Sequence, residues 1–123
     1  MKALLLVNPV SGKGAALRNL EPVRNKLTEL SVHPETVFSA SPGYFCQSFP
    51  VEKLSDISLL IVLGGDGFLN EVVNGLPENF TIPILFLPSG SGNDIGRALD
   101  ISLKKFYLIP ELKPFYRKFD LGL

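Results

Sequence analysis

The sequence predicts an α/β fold of three layers, a mostly parallel sheet flanked by helices. Two observations carry that expectation. Short, continuous apolar runs at Ala3–Val7, Ile57–Leu63 and Ile82–Leu87 have strand length, and little polar alternation interrupts them. Each run passes into a glycine-rich loop, and helical apolar spacing follows. Repeated units of strand, loop and helix, joined by right-handed crossovers, build a parallel sheet with helices over its faces.

Ala3–Val7 ends abruptly at Asn8-Pro9 and reads as a strand buried on both faces. Val10–Gly14 is then a flexible loop. Leu17, Leu20, Val23, Leu27 and Leu30 recur at steps of 3, 3, 4 and 3, which is helical. Pro22 suits only a first turn, where its missing N–H has no partner to lose, so the regular helix is expected near Asn19–Leu30. Thr36–Phe38 is a second strand. Pro42, Gly43 and Pro50 leave room only for short, broken helix in Ser41–Leu54. After Ile57–Leu63, Phe68–Gly75 reads as a helix with Leu69, Val72, Val73 and Leu76 on one side. Strand Ile82–Leu87, loop Pro88–Gly92 and helix Asn93–Leu99 form the last full unit. Phe115–Leu121 alternates like a strand and has no helix after it. No fixed-period repeat or low-complexity segment occurs.

The 123 residues suit one domain, and 46% hydrophobic with 20% charged residues suits a folded chain. Twelve basic residues balance twelve acidic ones, which argues against nucleic acid as a partner, since that binding needs excess Lys and Arg. Cys46 can form no intrachain disulfide and, with the single His33, builds no zinc site. A reduced, cytoplasmic setting is therefore expected. The apolar runs are too short to span a bilayer, and the first residues make a poor signal peptide.

Ligands of open α/β sheets bind outside the carboxyl ends of the strands, where the three glycine-rich loops should converge. Glycine lets backbone N–H groups approach a ligand, and the helix behind adds its positive end, a combination that suits phosphate. The bland alternative is that these glycines only make tight turns. The dinucleotide fingerprint fails because Asn70 and Ile95 stand where its last glycine belongs. The Walker pattern fails because Val7 and Gly14 stand at its first and last positions.

The residues that do occur resemble the diacylglycerol kinase and bacterial lipid kinase family. Asn8-Pro9-Val10-Ser11-Gly12, Gly64-Gly65-Asp66-Gly67-Phe68-Leu69-Asn70-Glu71 and Pro88-Ser89-Gly90-Ser91-Gly92-Asn93-Asp94 match its loops in order and spacing. Phe119-Asp120-Leu121-Gly122 looks like the crossing into a second domain. The resemblance implies an N-terminal nucleotide-binding α/β domain over residues 1–114, with 115–123 a strand leading toward a β-rich domain absent from this sequence. It implies ATP and Mg2+ as cofactors and a lipid hydroxyl as acceptor. Carried over by position, Asn8, Pro9, Ser11, Gly12 and Ser41 would line the nucleotide. Gly65, Asp66, Gly67, Phe68, Asn70 and Glu71 would form the phosphate and ribose side, with Ser91 on the third loop. Phe68 stands where the family has threonine, removing a hydroxyl and adding bulk. Ser91 keeps a hydroxyl in place of threonine.

Asp66 is the candidate catalytic residue. A carboxylate beside a triphosphate is repulsive unless a cation lies between them or it faces the acceptor hydroxyl as a base. Against this, Asp66 could simply cap the helix starting near Gly67, and the two roles can coexist. Asn93 or Asp94 reads better as an N-cap, and Glu71 could merely favour the helix dipole. Lys13 reads as a solvated lysine, and Cys46 and His33 as chemically idle. Lys104, Lys105, Lys113, Arg117 and Lys118 surround Phe106, Tyr107, Phe115, Tyr116 and Phe119. This stretch suits a peripheral contact with anionic lipid, and better suits apolar packing against another domain.

The leading expectation is the ATP-binding domain of a lipid kinase, inactive as this chain alone and self-associating through its C-terminal strand. A non-catalytic nucleotide-binding or interaction module, from a truncated or degenerate kinase, is the alternative, supported by Phe68 and by the early stop at Leu123. An NAD kinase or sugar kinase comes third, weakened by the Pro88–Asp94 loop.

Overall fold

The computed structural model describes residues 1–10, 13–89 and 102–112. Four strands, β1 (Lys2–Val7), β2 (His33–Phe38), β3 (Leu59–Gly64) and β4 (Ile84–Pro88), form one parallel sheet in the order β2-β1-β3-β4. Leu5 pairs with Thr36 on one side and Ile61 on the other, and Ile61 pairs in turn with Leu85. Every residue of β3 and β4 is buried, and so is all of β1 after Lys2, whereas β2 at the sheet edge is half open. Fully burying a Leu, Ile or Val contributes about 1.5–3 kcal/mol, so the inner strands supply most of the core.

Helix α1 (Ala15–Glu29) buries Ala16, Leu20, Val23 and Leu27. It starts earlier than the expected Asn19, and Pro22 lies inside it. Proline removes the bond to the carbonyl four residues back. Here Pro22 and Arg18 are both exposed, so water can serve that carbonyl. Leu17 also departs from expectation, at 51% exposed on the outer face. At the far end Val32 N–H donates to Leu27 O at 2.8 Å and Ser31 N–H to Thr28 O at 3.0 Å. That is a Schellman closure, with Ser31 rather than glycine in the left-handed conformation at φ 63°.

Between β2 and β3 come the one-turn helix α2 (Tyr44–Gln47) and a 3-10 turn at Val51–Leu54, the short and broken helix expected there. Helix α3 (Asp66–Gly75) follows β3 and buries Phe68, Leu69 and Val72. It stops at Leu76, which is extended as the residue before Pro77. Helix α4 (Leu103–Leu108) packs its fully buried Phe106 into the core, and Ser102 Oγ caps it by accepting from Lys105 N–H at 3.1 Å. Phe106 is thus core, which corrects its placement in an open aromatic surface. The expected helix Asn93–Leu99, the strand Phe115–Leu121 and the rest of the basic, aromatic tail from Lys113 lie outside the described residues. No described helix is long and apolar enough to cross a membrane.

β2 and β4 flank the β1–β3 pair on opposite sides, so right-handed crossovers put α1 and α3 on opposite faces. The strand order reverses direction between β1 and β3. The crevice at the carboxyl ends of these two strands is where such sheets hold ligands.

Candidate nucleotide site

A cleft of about 370 Å³ occupies that crevice, within the usual size range of small-molecule sites. Three segments wall it: Asn8, Pro9 and Val10 after β1; Ser39 to Pro42 after β2; and Gly67, Phe68 and Glu71 on α3. Asn8 stays close to the sheet by donating its N–H to Leu63 O at 3.3 Å. Its Oδ1 accepts from Val10 N–H at 3.2 Å, turning the chain out of the strand. Ser39 N–H donates to Val7 O at 2.9 Å, and Ser39 Oγ to Ser41 O at 2.9 Å.

The glycines near the cleft have different physical reasons. A Cβ on Gly64 would lie 2.6 Å from Phe68 Cδ2, so Gly64 lets the Phe68 ring lie against the end of β3. A Cβ on Gly75 would lie 1.9 Å from Phe45 O, so Gly75 lets α2 approach α3. Gly65 is the N-cap of α3, in extended backbone and without a side-chain cap bond. Gly67 differs from all of these. It lines the cleft in helical backbone, and a Cβ there would meet nothing within 4 Å. Neither strain nor packing in the described structure requires glycine at that position.

Asn8, Pro9, Ser41, Gly67, Phe68 and Glu71 are therefore brought together, while Gly65, Asp66 and Asn70 stand outside the lining. Asp66 is the first residue of α3, half-buried, so the helix begins at it and Gly65 holds the cap position expected of it. Asn70 is exposed. Ser11, Gly12 and Ser91 lie outside the described residues. Phe68 is only 4% exposed and packs against Phe45 with ring centroids 5.7 Å apart and planes tilted by 57°, so its ring belongs to the core beneath the cleft. Glu71 accepts from Gly43 N–H at 2.9 Å and Phe45 N–H at 3.1 Å.

Sequence reasoning missed Val10, Ser39, Ala40 and Pro42 as lining residues. Their one signal was position, directly after strands of a parallel sheet. It also missed Ser89 at the end of β4, whose N–H donates to Gly64 O at 2.9 Å. The Ser89 hydroxyl is buried without a hydrogen-bond partner among the described residues. No described lining residue is a lysine or arginine, so an anion in the cleft would rely on backbone N–H groups and the positive end of α3.

A larger cleft of about 560 Å³ lies at the opposite end of the sheet, lined by Lys2, His33, Glu35, Glu52, Lys53 and Asp56 among others. Its charges are mixed, and Lys53 pairs with Glu35. The hydrogen bond to Glu35 and its charge hold the Lys53 ammonium above its usual range. Size favours this cleft. Position at the amino ends of the strands, away from the loops, argues against it, and position is the stronger criterion in an open α/β sheet.

Known proteins resemble this chain in sequence and fold. "Putative lipid kinase YtlR" of Bacillus subtilis (strain 168) is 33% identical over 124 residues, covering 95% of this chain and 40% of the relative. A diacylglycerol kinase of Staphylococcus carnosus (strain TM300) is 37% identical over 101 residues, covering 81% of this chain and 33% of the relative. A crystal structure described as "a putative diacylglycerol kinase from Bacillus anthracis str. Sterne" superposes with a TM-score of 0.70 at 30% identity. That match covers 86% of this chain and 39% of the other. The chain thus spans about two-fifths or less of the length of these relatives. The family model for the diacylglycerol kinase catalytic domain matches residues 2–122, and the chain belongs to that family.

Proposed function

We propose that this chain is the ATP-binding domain of a lipid kinase and that the cleft between Asn8, Ser41 and Gly67 holds the nucleotide. One observation carries the reading: Gly67 keeps the cleft wall free of a side chain where nothing in the described protein would obstruct one. A ligand approaching the backbone at the start of α3 supplies the reason. Residues 1–114 would form the nucleotide-binding unit, with 115–123 leading toward the part that binds lipid. In the reaction, the oxygen of a lipid hydroxyl bonds to the γ-phosphorus as the bond from phosphorus to the bridging oxygen of ADP breaks, and the hydroxyl proton passes to a base.

Asn8, Pro9 and Ser41 would hold the nucleotide, joined by Ser11 and Gly12. Gly65, Gly67 and Asn70 would lie along the phosphate and ribose side, with Ser91 on the third loop. A single protein carboxylate would suffice for Mg2+ carried by the nucleotide, because that ion is usually held by one or two carboxylates with phosphate and water oxygens. Asp66, at the start of α3 beside the cleft rather than in its lining, would be that carboxylate. Bound Mg2+ would neutralise charge on the phosphates. Asp66 would hold that ion or take the hydroxyl proton. In the intact enzyme, Asp66→Asn separates these roles: loss of the base lowers turnover at every Mg2+ concentration, whereas loss of an ion ligand raises the Mg2+ needed.

One support for the non-catalytic alternative was a bulky Phe68 in the phosphate space, and a ring packed in the core weakens that one support. Thermal denaturation with Mg-ATP tests the binding itself. At tenfold excess over Kd the stabilisation is about 1.4 kcal/mol, a rise of about 3–6 °C in a domain of this size. A folded chain whose Tm does not move at millimolar Mg-ATP contradicts the proposal.

A further inference from the structure

We infer that Glu71 is a positioning residue, one that fastens the wall of the cleft after β2 onto helix α3. The inference rests on the nucleotide reading of the cleft and assigns Glu71 a different task from contact with the ribose or phosphates.

Glu71 sits in the second turn of α3 and lines the cleft. Its Oε1 accepts from Gly43 N–H at 2.9 Å and its Oε2 from Phe45 N–H at 3.1 Å. Gly43 is the N-cap of α2 and Phe45 its second residue, and no side chain at the N-cap caps this helix. The amide hydrogens left open at a helix start need acceptors, and a carboxylate also matches the positive end of the helix. Glu71 supplies both from 28 and 26 residues along the chain. Hydrogen bonds to an ionised carboxylate are the stronger kind.

Ser39 to Pro42, one wall of the cleft, is thereby held at both ends. Upstream, Ser39 N–H bonds to Val7 O on β1. Within the wall, Ser41 O accepts from both Ser39 Oγ and Tyr44 N–H. Downstream come the two bonds to Glu71. Around that clamp the Phe45 ring packs at a tilt against Phe68, and Gly75 lets the backbone of α2 lie close to α3. Both Glu71 oxygens are engaged with backbone, and the position of Ser41 relative to Gly67 follows from that engagement.

Glu71→Gln tests the assignment, since the amide keeps the shape and one acceptor but turns an NH2 toward the other N–H. Binding of Mg-ATP and Mg-2′,3′-dideoxy-ATP is measured on both proteins, with hydrogen exchange at the Gly43 and Phe45 amides. The expected result is weaker binding of both nucleotides by the same factor, about tenfold or more. Exchange should quicken at those two amides while the β3 amides keep their protection. Weaker ATP with unchanged dideoxy-ATP would make Glu71 a direct ribose ligand and overturn the inference. Rapid exchange of Gly43 and Phe45 in the unaltered protein would overturn it without any variant. A wild-type chain that binds neither nucleotide would end the nucleotide reading and Glu71's role in it, yet slow exchange at those amides would still uphold the clamp.

Discussion

Gly67→Ala should make the protein more stable and a worse binder. The residue is the second of α3, in ordinary helical backbone, and an added Cβ has no atom within 4 Å. Replacing glycine by alanine at such a site stabilises by about 0.4–1 kcal/mol, because the unfolded chain loses freedom and the helix gains propensity. With an unfolding entropy of about 2.1 cal/mol/K per residue, the melting temperature should rise by roughly 2–4 °C. In the cleft the same methyl group takes space from whatever approaches the backbone at the start of α3. Loss of one hydrogen bond to a charged phosphate costs about 1.5–3 kcal/mol, a Kd roughly 10- to 150-fold higher. Calorimetric titration with Mg-ATP and denaturation without ligand read the two effects separately. Gly75→Ala is the opposite control: its Cβ would lie 1.9 Å from Phe45 O, so α2 and α3 must separate, at a cost of about 3 kcal/mol or more. A Gly67→Ala protein that is more stable and binds ATP unchanged would mean that no ligand approaches the backbone at Gly67. A destabilised one would refute the local geometry.

Two further substitutions test the packing. Phe68→Thr removes a ring that is 4% exposed and packed against Phe45, so denaturant unfolding should show a loss of about 3–5 kcal/mol. The fraction that stays folded should bind ATP as before, and tighter binding would mean that this side chain faces phosphate after all. Ser31→Gly relieves a left-handed residue in the closure of α1 and should raise stability by about 0.5–1 kcal/mol, read by the same unfolding curve. No gain there would mean that the Ser31 conformation carries no strain.

The inner strands were legible because burial on both faces leaves a continuous apolar run such as Leu59–Leu63. The start of α1 was not, because the rule against interior proline assumes that the freed carbonyl has no other partner. Arg18 and Pro22 are both exposed, so water can reach that carbonyl, and exposure is a property of the fold. Helix α4 was missed because its six residues are too few for a periodicity to stand out, so Phe106 read as surface. The segments of the cleft after β1 and β3 were legible from glycine and from their place after strands. The wall Ser39 to Pro42 after β2 carries no glycine, and only Ser41 was named there. The separate reasons for Gly64, Gly67 and Gly75 were not, since each depends on what lies opposite in space. The bonds from Glu71 to Gly43 and Phe45 join residues far apart in sequence, and no local pattern announces them.

The two clefts at opposite ends of the sheet allow a direct test of where the nucleotide binds. Amide chemical shifts of the labelled protein, followed as Mg-ATP is added, report which residues meet it. Saturable shifts are expected at Asn8, Val10, Ser39, Ser41 and Gly67, with little change at Lys2, His33, Glu35 and Lys53. Shifts centred on that second group, in the larger cleft at the amino ends of β1 and β2, would contradict it.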